Sequence, residues 1–220
     1  MGLNKKGPIL EYSAREGYQS DSMTIEYEKE RFSGILGRYR FRREQRAVKS
    51  LVDMLPDGIS IADCPCGNGR WWPELARRAN HIIAIDISPG MLRYARKRIK
   101  NFNIQIDVHE GDAEALFLPD RSVDYTFSHA LTKHLPIPIQ YNVLAEFSRI
   151  ARSGVICSFG VCSHLTYEFW RHRHIKESYP IFIEQLEWMA IAANLEIRAM
   201  RKCTTPIGVE HTILFDKISQ

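Results

Sequence analysis

Three carboxylates and a pair of glycines are spaced so that they could surround one ligand. Asp63 closes the apolar run Ile59-Ser60-Ile61-Ala62 and opens the loop Cys64-Pro65-Cys66-Gly67-Asn68-Gly69. Asp86 closes a second run, His81-Ile82-Ile83-Ala84-Ile85, and Asp112 follows a third, Ile104 to His109, inside Gly111-Asp112-Ala113. Gly67 and Gly69 remove side chains where a ligand must approach backbone. A carboxylate placed like Asp86 can accept from ribose hydroxyls, and one placed like Asp112 from an exocyclic adenine amine. The chemistry indicated is the holding of a nucleotide-like ligand where strands end. A fourth run leads into Ser128-His129-Ala130-Leu131-Thr132-Lys133-His134. His129 and His134 are the candidate general bases, because histidine is the side-chain type that titrates nearest neutral pH. A histidine there can equally contact a cofactor or cap the next helix.

The elements that must position these groups follow from pattern. The chain has 220 residues, 45% hydrophobic and 25% charged, which suits one sizeable α/β domain. Val48, Leu51, Val52 and Leu55 give residues 38–55 an apolar stripe at helical spacing, stopped by Pro56-Asp57-Gly58. Strands are expected at 59–62, 81–85, 104–109, 122–128, 154–160, 195–202 and 210–216, with helices at 71–79, 89–100, 139–150 and 181–193. Ser88 caps the second of these helices, with Pro89 at its first position. Strands alternating with helices imply a Rossmann-like, doubly wound seven-stranded sheet, mostly parallel and covered on both faces. The last two strands, joined only by a loop, pair antiparallel. Residues 1–50 read as an N-terminal lid and helical segment, and 51–220 as the ligand-binding domain. An aromatic and basic insertion around 161–180 caps it.

Net charge is +4, with basic runs at Arg38–Arg46, Arg93–Lys100 and Arg171–Lys176. These read as solvated helix faces, or as a surface attracting an anionic acceptor such as RNA, phospholipid or a carboxylate. Five cysteines, an odd number, and a polar N-terminus without a signal-peptide core predict free thiols and a cytoplasmic location. No window approaches the roughly 20 apolar residues of a membrane span. No metal is expected, because Cys64 and Cys66 are too close together to form a clip by themselves.

The ligand can be narrowed. A dinucleotide fingerprint needs a third glycine where Trp72 stands, and a P-loop needs Lys and Ser or Thr where Arg70 and Trp71 stand. The chain instead resembles the class I S-adenosylmethionine (SAM)-dependent methyltransferases, in particular the small-molecule group that includes the ubiquinone and menaquinone methyltransferases. The resemblance covers about residues 55–216 and rests on four places. These are Asp63 to Gly69 for the glycine motif, Asp86 after the second strand, Gly111-Asp112-Ala113 after the third, and Phe147-Ser148-Arg149-Ile150 before Gly154. Pro65 replaces the first glycine of the motif, and the usual Pro-Gly-Gly turn is reduced to Arg152-Ser153-Gly154.

The resemblance implies SAM as cofactor. Asp63, Pro65 and the Cys66–Gly69 backbone would face its methionine part, Asp86 with Ile87 and Met91 its ribose, and Gly111, Asp112 and Ala113 its adenine. Ser128 and the two histidines would border the transferred methyl. The implied reaction is methyl transfer to an O or N atom of a small-molecule acceptor that is planar, lipid-like or anionic. Aromatics at Tyr18, Tyr27, Phe32 and Tyr39, and at His164, Tyr167, Phe169, Trp170, His172 and His174, would line its pocket or pack the lid to the body. An RNA or protein acceptor, favoured by the basic runs, is the alternative enzyme reading. A SAM-binding subunit without turnover is the alternative of another class.

Overall fold

A computed structural model describes residues 34–171, 178–204 and 208–218. Helix α1 (Gly34–Val52) comes first. Then follow β1 (Ile59–Asp63), α2 (Trp72–Leu75), β2 (Ala79–Asp86), α3 (Pro89–Arg98), β3 (Gln105–Glu110) and β4 (Val123–Ser128). The chain continues through α4 (Ile137–Ile150), β5 (Ala151–Cys162), α5 (His164–Arg171), β6 (Ile181–Phe182), α6 (Ile183–Ala192), β7 (Leu195–Lys202) and β8 (Glu210–Lys217).

The sheet runs β3-β2-β1-β4-β5-β8-β7. The first five strands on this path are mutually parallel, and β8 lies antiparallel to both β5 and β7. Chain order reverses between β1 and β4, which is where a doubly wound sheet opens a crevice for ligands. This is the expected architecture with one correction. The sheet has eight strands, because the two-residue β6 pairs parallel with Val161 and Cys162 of β5. A strand so short has no alternation to betray it.

The period-2 alternation of the strands sorts side chains into two cores. Val155, Cys157, Phe159, Ile213 and Phe215 face one layer, with Val143 and Phe147 of α4 and Leu186 and Met189 of α6. Ile156, Leu214, Ile61, Ile82 and Phe127 face the other, with Val48 and Leu51 of α1, Trp72 and Leu75 of α2, and Leu92 of α3. Helix α1 starts four residues before the expected Arg38 and ends at Val52. Helix α2 is a single turn rather than the expected 71–79. The chain turns into β2 early because Arg78 O accepts from the N–H groups of Gly58 and Ile59. Strand β5 is longer than expected, since polar Arg152 and Ser153 lie exposed at its start.

Asp124 straps β1, β4 and β5 together. Its Oδ2 accepts from Ser60 N and Ser60 Oγ, both at 2.8 Å, and its Oδ1 from Arg152 at 3.2 Å. Burial pushes its pKa up, but the Ser60 and Arg152 donors outweigh this and hold the carboxyl below its usual range. A depressed folded-state pKa gives stability that is present above the unfolded value near ~4 and is lost as pH falls through the folded value. Urea unfolding across an acid pH series should show a shallower loss for Asp124→Asn than for the wild type.

Gly154 has no room for a side chain, because an added Cβ would collide with the Phe215 carbonyl oxygen and press the Tyr125 ring. Gly154→Ala is expected to cost about 3 kcal/mol in urea unfolding, by forcing β5 and β8 apart.

Candidate active site

Strand β1 delivers Asp63 to the crevice, and the loop after it is stitched across to β2. Cys66 N donates to Ile85 O at 2.8 Å, Gly67 N to Asp86 Oδ2 at 2.8 Å, and Gly69 N to Cys66 O at 2.9 Å. Gly67 (φ +53°) and Gly69 (φ +77°) hold left-handed conformations. Their surroundings differ. A Cβ on Gly67 would meet nothing within 4 Å, whereas one on Gly69 would lie 2.6 Å from the Trp72 ring. Pro65 and Asn68 are half-buried beside them. The Cys64 and Cys66 thiols are buried. That burial, and then the nearby Asp86 and Asp63, push them well above the usual thiol range, so neither is a nucleophile.

Asp63 is fully buried. Its Oδ2 accepts from Trp72 Nε1 at 3.0 Å, and its Oδ1 is buried with no hydrogen-bond partner among the described residues. Burial pushes its pKa well up, and Asp86 adds to this against the Trp72 bond. Asp86 is 5% exposed. Its Oδ2 takes the Gly67 N–H, its Oδ1 takes Ser88 N–H at 2.9 Å, and its carbonyl takes Gly111 N–H at 3.1 Å. Burial raises its pKa, and the backbone donors oppose that.

Ser88 caps α3 as expected, accepting from Met91 N at 3.3 Å. Ile87 and Met91 lie half-buried at this mouth, as do Gly111, Asp112 and Ala113. Gly111 is tight against Ile85, whose Cγ2 would lie 2.8 Å from an added Cβ. Asp112 Oδ1 accepts from Glu114 N at 3.0 Å within its own turn.

On the β4 side, Ser128 is fully buried and His129 is 6% exposed. Arg70 Nη2 lies 3.3 Å from His129 Nδ1. Arginine can only donate, so Nδ1 accepts and the proton of the neutral ring sits on Nε2. The Arg70 guanidinium also meets Glu44 at 3.6 Å and covers the Trp71 ring at 4.7 Å, and Trp71 packs on His129 with ring centroids 4.6 Å apart. Ala130 (φ +66°) turns the chain away, and its N–H donates to Ser158 Oγ at 2.7 Å. His134 closes the short turn that follows and is half-buried.

Sequence reasoning missed Glu44, Arg70, Lys133, Cys203 and Glu210, which the fold brings to this edge from five separate segments. Ligand atoms of His129, Cys203 and Glu210 lie within 4.8 Å of one another, a spacing a metal could bridge. Lys133 meets Glu210 at 3.0 Å, so cations already sit on two of the three groups and disfavour another. The Cys203 thiol is pushed up to about 12 by burial and by Glu210. In the cap, His164 and Tyr167 pack on Phe182 at 4.3 and 5.2 Å, so these two aromatics bind the cap to the body. Tyr18, Tyr27, Phe32, His172 and His174 lie outside the described residues, as do the side chains of Phe169 and Trp170.

Residues 61–154 match the methyltransferase domain family. The matched stretch runs from β1 into β5 and takes in Asp63, Asp86 and Asp112, the carboxylates placed at the crevice. Among its relatives, malonyl-[acyl-carrier protein] O-methyltransferase of Yersinia pestis is 30% identical over 140 residues, covering 56% of this chain and 47% of that protein. Magnesium-protoporphyrin O-methyltransferase of Rhodobacter capsulatus is 28% identical over 133 residues, covering 59% and 58%. The chain thus spans about half the length of the curated relatives it matches. The fold is shared with magnesium protoporphyrin IX methyltransferase from Synechocystis PCC 6803 with bound SAH (S-adenosylhomocysteine), at a TM-score of 0.74 and 16% identity over 93% of this chain and 98% of that one.

The two loop glycines should respond differently to substitution. Gly67→Ala meets only the left-handed backbone penalty, about 1–2 kcal/mol. Gly69→Ala adds a collision with Trp72 and should cost about 3–4 kcal/mol in thermal unfolding.

Proposed function

We propose that the protein transfers the methyl group of SAM to an oxygen or nitrogen atom of a small-molecule acceptor. One observation carries this reading: the buried Asp86 carboxylate accepts the Gly67 N–H, joining the glycine loop and the acidic strand end in one crevice. Asp86, Ile87 and Met91 would hold the ribose, and Gly111, Asp112 and Ala113 the adenine. Asp63, Pro65, Cys66, Gly67, Asn68 and Gly69 would hold the methionine part. An oxygen acceptor is the narrower reading, because relatives of this chain are O-methyltransferases.

In the transfer, the acceptor atom attacks the methyl carbon in line. The carbon–sulfur bond breaks and S-adenosylhomocysteine leaves with the electron pair. Proximity and alignment supply most of the rate, worth about 7–11 kcal/mol in favourable cases. With Nδ1 held by Arg70, His129 would act by positioning, and His134 remains the candidate base. Residues 1–50 and the cap around 161–180 would close over an acceptor that is planar, lipid-like or anionic. Among the described residues no helix is long and apolar enough to cross a membrane. Five free, buried thiols support a cytoplasmic setting.

Calorimetry with SAM tests the assignment. Asp63 has a raised pKa in the free protein, and a cationic ligand favours its ionised form. Binding should therefore release a proton, and affinity should rise with pH. Titration in buffers of differing ionisation heat reads this directly. Asp86→Ala should weaken binding about 10- to 100-fold, the worth of one or two charge-assisted hydrogen bonds. No SAM binding, or binding indifferent to Asp86→Ala, would overturn the site.

A further inference from the structure

At the edge of the sheet opposite the crevice, an open cavity of about 500 Å³ is lined by Asp120, Arg121, Arg149, Arg152, Lys217 and, on its neutral side, Ser153, Asn194 and Ile218. The strands place them together. Asp120 and Arg121 form the turn before β4, Arg149 ends α4, Arg152 and Ser153 begin β5, and Lys217 ends β8.

Four cations face one lining carboxylate, but they are not equivalent. Arg149 is consumed by the fold. Its guanidinium donates to Glu146 Oε2 at 2.8 Å and Oε1 at 2.7 Å, to Asp120 at 2.6 Å, and to the carbonyls of Leu116 and Leu118. Arg152 is held by Asp124 and by Ser122 O.

Arg121 and Lys217 differ from these two. Among the described residues neither forms an ion pair. Lys217 Nζ donates only to neutral acceptors, Ser148 O at 2.9 Å and Ser148 Oγ at 2.8 Å, which leaves one of its three protons for a ligand. Arg121 is exposed, and its backbone is fixed in a left-handed turn (φ +52°) by an N–H bond to Arg149 O at 2.9 Å. The two charges act on one another: burial, and then Arg121, hold the Lys217 ammonium below its usual range. Two repelling cations beside an open polar cavity are relieved by an anion that bridges them. A guanidinium presents paired N–H donors and an ammonium a point charge, which together suit the tetrahedral oxygens of a phosphoryl group.

We propose that this cavity binds a phosphoryl dianion between Arg121 and Lys217, as inorganic phosphate or as the phosphate of a small ester. The site is independent of the methyltransferase reading, because it lies at the opposite ends of the strands.

Calorimetry on the full chain at low ionic strength tests it, with inorganic phosphate in one arm and ribose 5-phosphate in the other. Sodium chloride at matched ionic strength is the control. Saturable one-to-one binding is expected in at least one arm, and the arm that binds more tightly identifies the source. Arg121→Ala, an exposed position, should weaken it at least tenfold, and Lys217→Met likewise if it folds. SAM binding, measured on the same samples, should stay within twofold, so a failure of either assignment is seen separately. Heats no larger than those of chloride would overturn the proposal. So would affinity within twofold of wild type in Arg121→Ala, or binding to long RNA without binding to either phosphate.

Discussion

The carboxylate of Asp86 is the constraint on which the ligand crevice depends. Three loops leave β1, β2 and β3, and each would be mobile alone. Asp86 joins them through its side chain to Gly67 N–H and Ser88 N–H, and through its carbonyl to Gly111 N–H. Burying a carboxylate is costly, and burial does raise its pKa. Two backbone donors, each worth about 1.5–3 kcal/mol to a charged acceptor, offset that cost and set the geometry before any ligand arrives. Removing the charge would loosen the glycine loop, the start of α3 and the adenine-side turn together.

The sheet then separates two kinds of charge. At the carboxyl ends of its parallel strands stand buried acids, Asp63 and Asp86. At the other ends stand the basic groups around β5 and β8, with Asp124 and Arg149 tying that edge shut. The antiparallel placement of β8 makes this division workable. Lys217 arrives at the basic edge, while Glu210, at the other end of the same strand, reaches the crevice side and meets Lys133. One strand thus contributes to both edges, with Ile213, Leu214 and Phe215 of the apolar core between them.

The strands along the chain, the antiparallel close and the ligand loop were legible because each leaves a local mark: an apolar run, a loop-only connection, a glycine pair beside a terminal acid. The single turn of α2 was not, because its length is decided by Arg78 O meeting the N–H groups of Gly58 and Ile59. Trp72 read only as a departure from a dinucleotide fingerprint. In the fold its indole donates to Asp63, and its ring lies beneath Gly69, so the same residue explains both the glycine and the acid. The state of His129 was equally hidden. It is set by Arg70, 59 positions away, and no spacing rule reaches that far.

Asp63 shows how the fold and its ligand are coupled. Burial raises its pKa in the folded state, so its favourable contribution is complete below the unfolded carboxyl value and fades as pH rises through the raised value. At neutral pH the free protein therefore carries an acid poorly served by its surroundings, with Trp72 as the donor to one oxygen and none among the described residues for the other. A fully apolar residue at this place would pack with less cost, yet it would offer nothing to a cation. Ionising Asp63 weakens the empty protein, and the charge so formed is the one a cationic ligand would complete. The crevice is accordingly least stable where it is best matched to bind.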